Sequence, residues 1–225
     1  DRQSNITNKA ERTAILGFSA GTQPSEAATM VKMLDEGVDE NGMRVSGNPR
    51  IRCMYPDMLT VSTTDALGNQ TEELVDGRYL AAMMAARQLS PNRDPATPWT
   101  GTQFVGTNGV MRNLDTVTMN QVASAGVTVC ENRPPFIKVR QGLTTDMGTV
   151  MTKTPSVIQI ADEVHQQSRN VLEGFIGVKF LPSIISQIEG RVAMMYRDMV
   201  SANIVAAYTG CLLYTSPSPR DVCSS

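Results

Sequence analysis

The chain has 225 residues, of which 41% are apolar and 19% are charged, and its formal net charge is -2. This balance is typical of a globular protein that is long enough to bury a core in one large or two small domains. The small net charge argues against nucleic acid as a partner, and the absence of a long apolar run argues against insertion into a membrane.

The N-terminal part of the sequence alternates between strand and helix patterns. Residues 13–18 form a short apolar run that predicts a strand, and residues 25–37 predict a helix. Residues 50–61 predict two strand pieces that are separated by a proline bend. Asp76 is a suitable N-cap for a helix over residues 77–89. This order of elements predicts an α/β layer with a sheet that is at least partly parallel.

A second structural unit is predicted after a break in the pattern. Segment 93–103 is predicted to be a linker between two lobes, because the sequence around it is rich in proline and poor in apolar residues. Residues 118–125 then predict a short helix. Residues 127–130 and 136–140 predict two strands that are joined by a tight turn, and therefore a β-hairpin.

Two long amphipathic helices are predicted after the hairpin. Apolar residues recur at spacings of three and four from Val157 to Phe175, and Pro155 occupies a first position where its missing N–H is harmless. A second apolar stripe runs from Ile184 to Met199. The fold class that follows is α/β, with a mixed-sheet α/β lobe followed by a smaller α+β lobe that contains the β-hairpin and the two helices.

One motif is typical of serine hydrolases. Residues 17–21 match the G-x-S-x-G nucleophile elbow, and His165, the only histidine, follows downstream carboxylates as in those enzymes. The histidine matters because a serine hydroxyl is a weak nucleophile until an imidazole accepts its proton. Against this interpretation, Pro24 lies where the elbow requires a helical N–H, and His165 lies inside a predicted helix. A hydrolase that uses Ser19 is therefore the alternative hypothesis.

No other pattern in the sequence points to catalysis or ligand binding. The four cysteines lack metal or redox spacing, and Cys53 and Cys130 lie in apolar segments that predict buried thiols. A single histidine with scattered carboxylates does not form a zinc site, and the glycine motifs that bind phosphate are absent. The favoured interpretation therefore includes no catalytic residue, no cofactor and no metal.

Three basic residues stand out in the predicted hairpin. Arg133 lies at its turn, and Lys138 and Arg140 lie on the strand face opposite to Ile137 and Val139. One interpretation is a solvated face of a hairpin at the edge of a sheet. The other is functional, because an edge strand with exposed backbone groups accepts a strand from a neighbouring chain. Repeated heterologous contacts of this kind build a helical tube.

A series of motifs, in order, resembles the contractile tail sheath proteins of bacteriophages and related injection machines. The pattern YPDMLTV at residues 55–61 is followed by a helix that opens on G-x-Y-x-A-A at residues 77–82. A strand of the form VR-x-GLTT at residues 139–145 is followed by a helix that opens on S-V-x-x-I at residues 156–160. The resemblance covers most of the stretch from Arg12 to Gly210.

This resemblance implies a division of the chain into domains. Residues 1–92 correspond to the distal part of the family's central α/β domain, which is subtilisin-like, and residues 93–103 to the linker. Residues 104–210 correspond to the C-terminal sheath domain. Residues 211–225 instead resemble the translation of a sequencing adaptor, so we expect them to be a non-native tail without stable packing.

The resemblance also implies a structural role without enzymatic activity. A second alternative, beside the hydrolase, is another virion structural or assembly protein, which would share the same folding signals. Identical subunits of the family assemble as a helix around a tail tube protein, attach to a baseplate, and contract to drive the tube through the envelope of the target cell. The expected location is the tail sheath of the virion, after assembly in the cytoplasm of the bacterial host. The residues expected at a subunit interface or in the hairpin loop are Arg133, Lys138, Arg140 and Asp146.

Overall fold

The computed structural model describes residues 12–35, 37–38, 44–45, 47–90, 94–179 and 181–208. The strands are β1 (Ala14–Gly17), β2 (Gly37–Val38), β3 (Arg44–Val45), β4 (Ile51–Tyr55), β5 (Met58–Thr64), β6 (Gln70–Asp76), β7 (Gln103–Phe104), β8 (Thr107–Val110), β9 (Val127–Arg133) and β10 (Phe136–Gln141). The helices are α1 (Pro24–Asp35), α2 (Gly77–Gln88), α3 (Thr116–Ser124), α4 (Val150–Lys153), α5 (Pro155–Leu172) and α6 (Pro182–Ser201), with a short 3-10 turn at Glu173–Phe175. The predicted non-native tail, residues 211–225, lies outside the described residues.

Local sequence signals account for where several helices begin. The Asp76 carboxylate accepts a hydrogen bond from the backbone N–H of Arg78 and so caps α2 as predicted. Asp115 caps α3 in the same way. Thr149 and Thr152 form a reciprocal capping box around α4. Each cap satisfies N–H groups that the helix itself leaves without an acceptor, which fixes the first turn of the helix.

The central sheet is mixed. Its strand order is β1-β4-β9-β10-β7. Strands β1, β4 and β9 run parallel to one another, whereas β10 is antiparallel to both β9 and β7. A second, antiparallel sheet has the order β6-β5-β8, and β2 pairs with β3. The predicted α/β class and the β9–β10 hairpin are therefore confirmed.

Helices pack against both faces of the central sheet. Because neighbouring residues of a strand point to opposite faces, they contribute to different cores. Met54 of β4 lies in a core with Leu80 and Met84 of α2. Tyr55, the next residue, lies in a second core that includes residues of α1 and α3. The largest buried side chains of that second core come from β4, β9, the loop after β1 and the two helices: Phe18, Val31, Tyr55, Val122, Val127 and Val129.

Two glycines allow an unusually close approach of backbone segments in the first core. A Cβ atom on Gly17 of β1 would lie 2.2 Å from the carbonyl oxygen of Gly77. A Cβ atom on Gly77 itself would lie 2.4 Å from the carbonyl oxygen of Pro56. Glycine is therefore required at both positions, since neither carbonyl can move away without shifting the chain. This contact fixes the start of α2 against β1 and the bend between β4 and β5.

The described residues divide into two compact units, one ending at Gln159 and one starting at Ile160. This division differs from the linker expected at residues 93–103. Strand β9, which follows that segment, pairs with β4, which precedes it, and β7 begins at the segment's last residue, Gln103. The segment therefore connects strands of one central sheet. The domain limits taken from the family remain predictions.

The second unit is built on helical packing. Ser168 of α5 donates a hydrogen bond to the sulfur atom of Met195, which is buried on α6. After α6 the chain turns at Asn203, whose φ is 57°. The aromatic rings of Tyr196 and Tyr208 then stack with their centroids 5.3 Å apart. Among the described residues, no helix has both the length and the apolarity needed to cross a membrane.

Candidate subunit interface

The residues predicted at an interface all lie in the first unit, on or just after the β9–β10 hairpin. Phe136 pairs with Arg133 at the turn, and Lys138 pairs with Glu131. The pairing shifts between Val139 and Gln141, which marks a bulge or irregularity in β10. The hairpin is therefore the element that positions the three basic residues.

Arg133 is the most accessible of these residues. Its side chain is 68% exposed, and its Nε atom donates a hydrogen bond to Glu131 Oε1 at 2.9 Å. An exposed ion pair of this kind contributes little to stability, because water screens both charges. Arg133 is therefore free to exchange this partner for another carboxylate at small cost.

Lys138 and Arg140 are half-buried. Lys138 lies opposite Glu131 on one side and opposite Gln103 of β7 on the other. Arg140 Nη2 donates to the side-chain oxygen of Asn120 on α3 at 3.0 Å, and its Nη1 is buried without a hydrogen-bond partner among the described residues. Arg140 thus connects β10 to a helix of its own chain.

Asp146 is buried, with 8% of its surface exposed. Its Oδ1 atom accepts a hydrogen bond from the Gly148 N–H at 2.8 Å, and its own N–H donates to Thr144 Oγ1 at 3.2 Å. A Cβ atom on Gly47 would lie 2.1 Å from the Asp146 Cα, so this loop packs directly against residue 47. The carboxylate therefore organises the loop from within, and its predicted place at an interface stays a prediction.

The remaining residues of the VR-x-GLTT motif are buried and held by hydroxyl groups. Leu143 donates its N–H to Thr128 Oγ1 at 2.9 Å, and the same hydroxyl donates to the Leu143 carbonyl at 3.0 Å. Thr145 Oγ1 accepts from the N–H of Asn48 and donates to its carbonyl. Gly142 lies against Trp99, where a Cβ atom would be 2.4 Å from the Trp99 Cβ. The motif therefore fixes the exit of β10 within the sheet.

The expectation that β10 forms an edge of the sheet is wrong. The N–H of Val139 donates to the Thr102 carbonyl, and the Val139 carbonyl accepts from the N–H of Gly101, both at 2.8 Å. Farther along, Ile137 donates its N–H to Thr107 Oγ1 at 3.3 Å. These backbone groups of β10 are therefore already occupied, so β10 offers no open edge to a neighbouring strand there.

The structure does not give Ser19 the setting of a nucleophile elbow. Ser19 is exposed in a loop, and α1 starts only at Pro24, so no helix begins directly after the serine. The N–H of Gly21 in this loop donates to Asp57 Oδ2 at 3.0 Å. His165 lies within α5, in the second unit. Neither the Ser19 hydroxyl nor the His165 ring makes a hydrogen bond with another described residue.

The thiols of Cys53 and Cys130 are buried. Burial raises the pKa of Cys53 to about 11, and burial followed by the charge of Glu131 raises the pKa of Cys130 further. A protonated thiol is neither a strong nucleophile nor a metal ligand. Within the described part of the chain, no three histidine, cysteine or acidic residues are arranged to hold a metal ion.

Two structurally important residues were not singled out by the sequence. Asp57 is 98% buried, since only 2% of its surface is exposed, and it anchors the loop after β1 through Gly21. Thr128 is fully buried and joins β9 to Leu143. Both act through hydrogen bonds to distant backbone groups, which leave no pattern in the local sequence. The sequence signal available for Asp57 was a carboxylate that directly follows an apolar strand and a proline.

The fold is that of tail sheath proteins from contractile systems. A sheath tail protein from Desulfitobacterium hafniense gives a TM-score of 0.60 at 11% identity, over 93% of this chain and 52% of that one. The helical sheath of the anti-feeding prophage in its contracted state gives 0.56 at 9% identity, over 89% of this chain and 58% of that one. No protein-family model matches the sequence.

The sequence comparison points to the same class. The chain is 25% identical, over 209 residues, to the tail sheath protein of Mycobacterium phage Bxz1. The aligned region covers 92% of this chain and 33% of that protein. The predicted resemblance to contractile tail sheath proteins is therefore confirmed. The chain spans about a third of the length of this relative and about half the length of the solved sheath proteins.

Proposed function

We propose that this chain is part of a structural subunit of a contractile tail sheath. In this proposal, identical subunits assemble as a helix around a tail tube protein, attach to a baseplate, and contract to drive the tube through the envelope of a target cell. One observation supports the proposal most strongly. Sequence similarity to a phage tail sheath protein extends over 92% of a chain that also has the sheath fold.

The packing of the first unit supports a mechanical role. Contraction by rearranging contacts between subunits requires subunits that move as rigid bodies. The close approaches at Gly17, Gly77 and Gly142 bring backbone and core atoms to distances that leave no room for another carbon. Buried strands β4 and β9 lie between helices on both faces. Such close packing resists deformation, so movement is expected at contacts between subunits.

We propose different roles for the four predicted interface residues. Arg133 contacts a carboxylate of a neighbouring subunit, because its guanidinium is largely exposed and its present ion pair is weak. Lys138 lies beside it on the same hairpin and contributes positive charge. Arg140 and Asp146 hold the hairpin and its loop in shape through Asn120 and Gly148. The assembled protein is located in the tail sheath of the virion, after assembly in the host cytoplasm.

The proposal is tested by expressing the complete reading frame that contains this sequence and imaging the product by negative-stain electron microscopy. Striated tubes are expected for the parent and for the charge-conserving variant Arg133→Lys. Arg133→Glu is expected to shorten or abolish the tubes, while its circular dichroism spectrum stays that of the parent. If the complete parent protein stays monomeric at high concentration, the proposed function is wrong.

We further propose that the chain carries out no catalytic turnover. The geometry around Ser19 supports this, since α1 begins only at Pro24 and no helix follows the serine directly. A fluorophosphonate probe labels activated serines covalently, because they attack its phosphorus atom. Incubation with the probe is expected to leave the parent unlabelled. Labelling that disappears in Ser19→Ala would instead support the hydrolase alternative.

A further inference from the structure

The β5–β6 hairpin carries the longest unpaired strand edge in the described part of the chain. Strand β6 pairs with β5 over seven residues, from Gln70 to Asp76, without a bulge. Among the described residues, no strand pairs with its other side. Residues 70–74 are all exposed to solvent. This edge is therefore available to another polypeptide, unlike that of β10.

The pairing of the hairpin fixes which backbone groups point outward. Asp65 donates its N–H to the Asn69 carbonyl at one end, and Gly77 donates to the Asp57 carbonyl at the other. In an antiparallel ladder, hydrogen-bonded pairs alternate with pairs that are not bonded to each other. The backbone groups of residues 71, 73 and 75 therefore point toward β5. Those of Gln70, Glu72 and Leu74 point toward the open edge.

The edge lacks the backbone devices that often prevent strand addition, such as a proline or a bulge, and its protection consists of charged side chains. The sequence from Gln70 to Asp76 contains no proline, glycine or lysine, and its register is regular. Leu74 is 46% exposed and Val75 packs partly against the core, so a neighbouring strand would find an apolar contact on each face. An edge of this kind binds an extended segment through alternating main-chain hydrogen bonds.

The charge of the hairpin determines which kind of peptide segment can pair with the outer edge of β6. Between Met58 and Asp76 there are four carboxylates, namely Asp65, Glu72, Glu73 and Asp76, and neither lysine nor arginine. This hairpin therefore carries a formal charge of -4 in a chain whose total is -2, so the other residues sum to +2. Asp76 is already paired with Arg78, and the Glu72 carboxylate accepts a hydrogen bond at 2.7 Å from the neutral side-chain amide of Asn108. Glu72 and Glu73 therefore carry the negative charge of the edge.

These charges disfavour pairing between two copies of the same edge. An antiparallel pair of β6 strands would bring glutamates of the two copies close together, and like charges across strands are destabilising. Opposite charges across strands are favourable. We propose that the outer edge of β6 binds an extended segment of a partner protein that carries lysine or arginine, by strand addition. This inference goes beyond the sheath assembly, because it requires no second copy of the chain.

Hydrogen exchange measured by NMR tests the proposal directly. The probe is an acetylated octapeptide of alternating lysine and valine, and its matched control has glutamate in place of lysine. In the free protein, the amides of Gln70, Glu72 and Leu74 are expected to exchange faster than those of residues 71, 73 and 75. The lysine peptide is expected to slow exchange at the three outward amides by at least about tenfold, and the glutamate peptide is not.

Two proline variants test the backbone contribution, and of the two only Leu74→Pro leaves the charge of the edge unchanged. Glu72→Pro removes an outward N–H without removing a bond to β5, and is expected to weaken peptide binding at least about tenfold. Leu74→Pro tests the same point at a second outward position. Protection of the amides at residues 71, 73 and 75 verifies that each variant keeps its hairpin. The proposal is overturned if the lysine peptide leaves the outward amides unprotected, or if folded proline variants bind it as the parent does.

Discussion

Replacing Gly142 by alanine tests whether the VR-x-GLTT motif is needed for packing. The added Cβ atom would lie 2.4 Å from the Trp99 Cβ, about 1 Å closer than two carbon atoms normally approach. Trp99 is 97% buried, since 3% of its surface is exposed, and it cannot swing into solvent. Overpacking of this kind costs about 1 to 3 kcal/mol.

Movement of Trp99 has a second consequence. The Arg52 guanidinium lies 4.9 Å from the centre of the indole ring, and both residues are buried. Weakening this cation–π contact adds about 0.5 to 1 kcal/mol. We therefore expect Gly142→Ala to lower the free energy of unfolding by about 1.5 to 4 kcal/mol in total.

Urea denaturation measures this change well, because Trp99 is the only tryptophan and its fluorescence reports on the site itself. The matched control is Gly190→Ala, within α6, where an added Cβ meets nothing within 4 Å. The control is expected to raise the free energy of unfolding by up to about 1 kcal/mol, because alanine has a higher helix propensity than glycine. Far-ultraviolet circular dichroism measures this change. If Gly142→Ala unfolds at the same urea concentration as the parent, the packing argument is refuted.

Further predictions concern a buried hydroxyl, a thiol and a surface charge. Thr128→Val is expected to cost about 2 to 4 kcal/mol, because two buried backbone groups of Leu143 lose their partner, and an unchanged urea midpoint would contradict this. Raising the pH from 9 toward 11 is expected to lower stability. The unfolded Cys53 thiol, with a pKa near 9.0, loses its proton first, whereas burial raises its pKa to about 11 in the folded chain. The loss measured by thermal melting should be smaller in Cys53→Ala, and an identical pH dependence would refute the assignment. Arg133→Ala is expected to leave the urea midpoint within about 0.5 kcal/mol of the parent while weakening tube assembly, and the reverse pattern would assign Arg133 to folding instead.

The elements with strong local signals were predicted from the sequence. Asp76 is an N-cap in the structure because a short carboxylate before a helix satisfies free N–H groups wherever it occurs. The spacing that predicted α5 and the proline bend between β4 and β5 depend on neighbouring residues in the same way. The family resemblance depended on an ordered series of such local motifs.

The features that were missed depend on contacts between distant residues. Strand β7 begins at the last residue of the segment predicted to be a linker, and within that segment the N–H of Gly101 and the carbonyl of Thr102 bond to Val139. Two adjacent glutamates disfavour a strand in isolation, yet Glu72 and Glu73 lie in β6 because the ladder with β5 holds them. No local pattern reports that a distant segment will cover one edge and leave another open. The segment around β7 covers β10, so among the described strands the open edge lies on β6 instead.

The most direct test of the account is a helical reconstruction by cryo-electron microscopy of the tubes formed by the complete protein. The proposal predicts a repeating unit into which the five-stranded sheet fits, with the side chain of Arg133 in contact with a carboxylate of a neighbouring subunit. Particles without helical order, or tubes whose repeating unit has no place for this sheet, would contradict it.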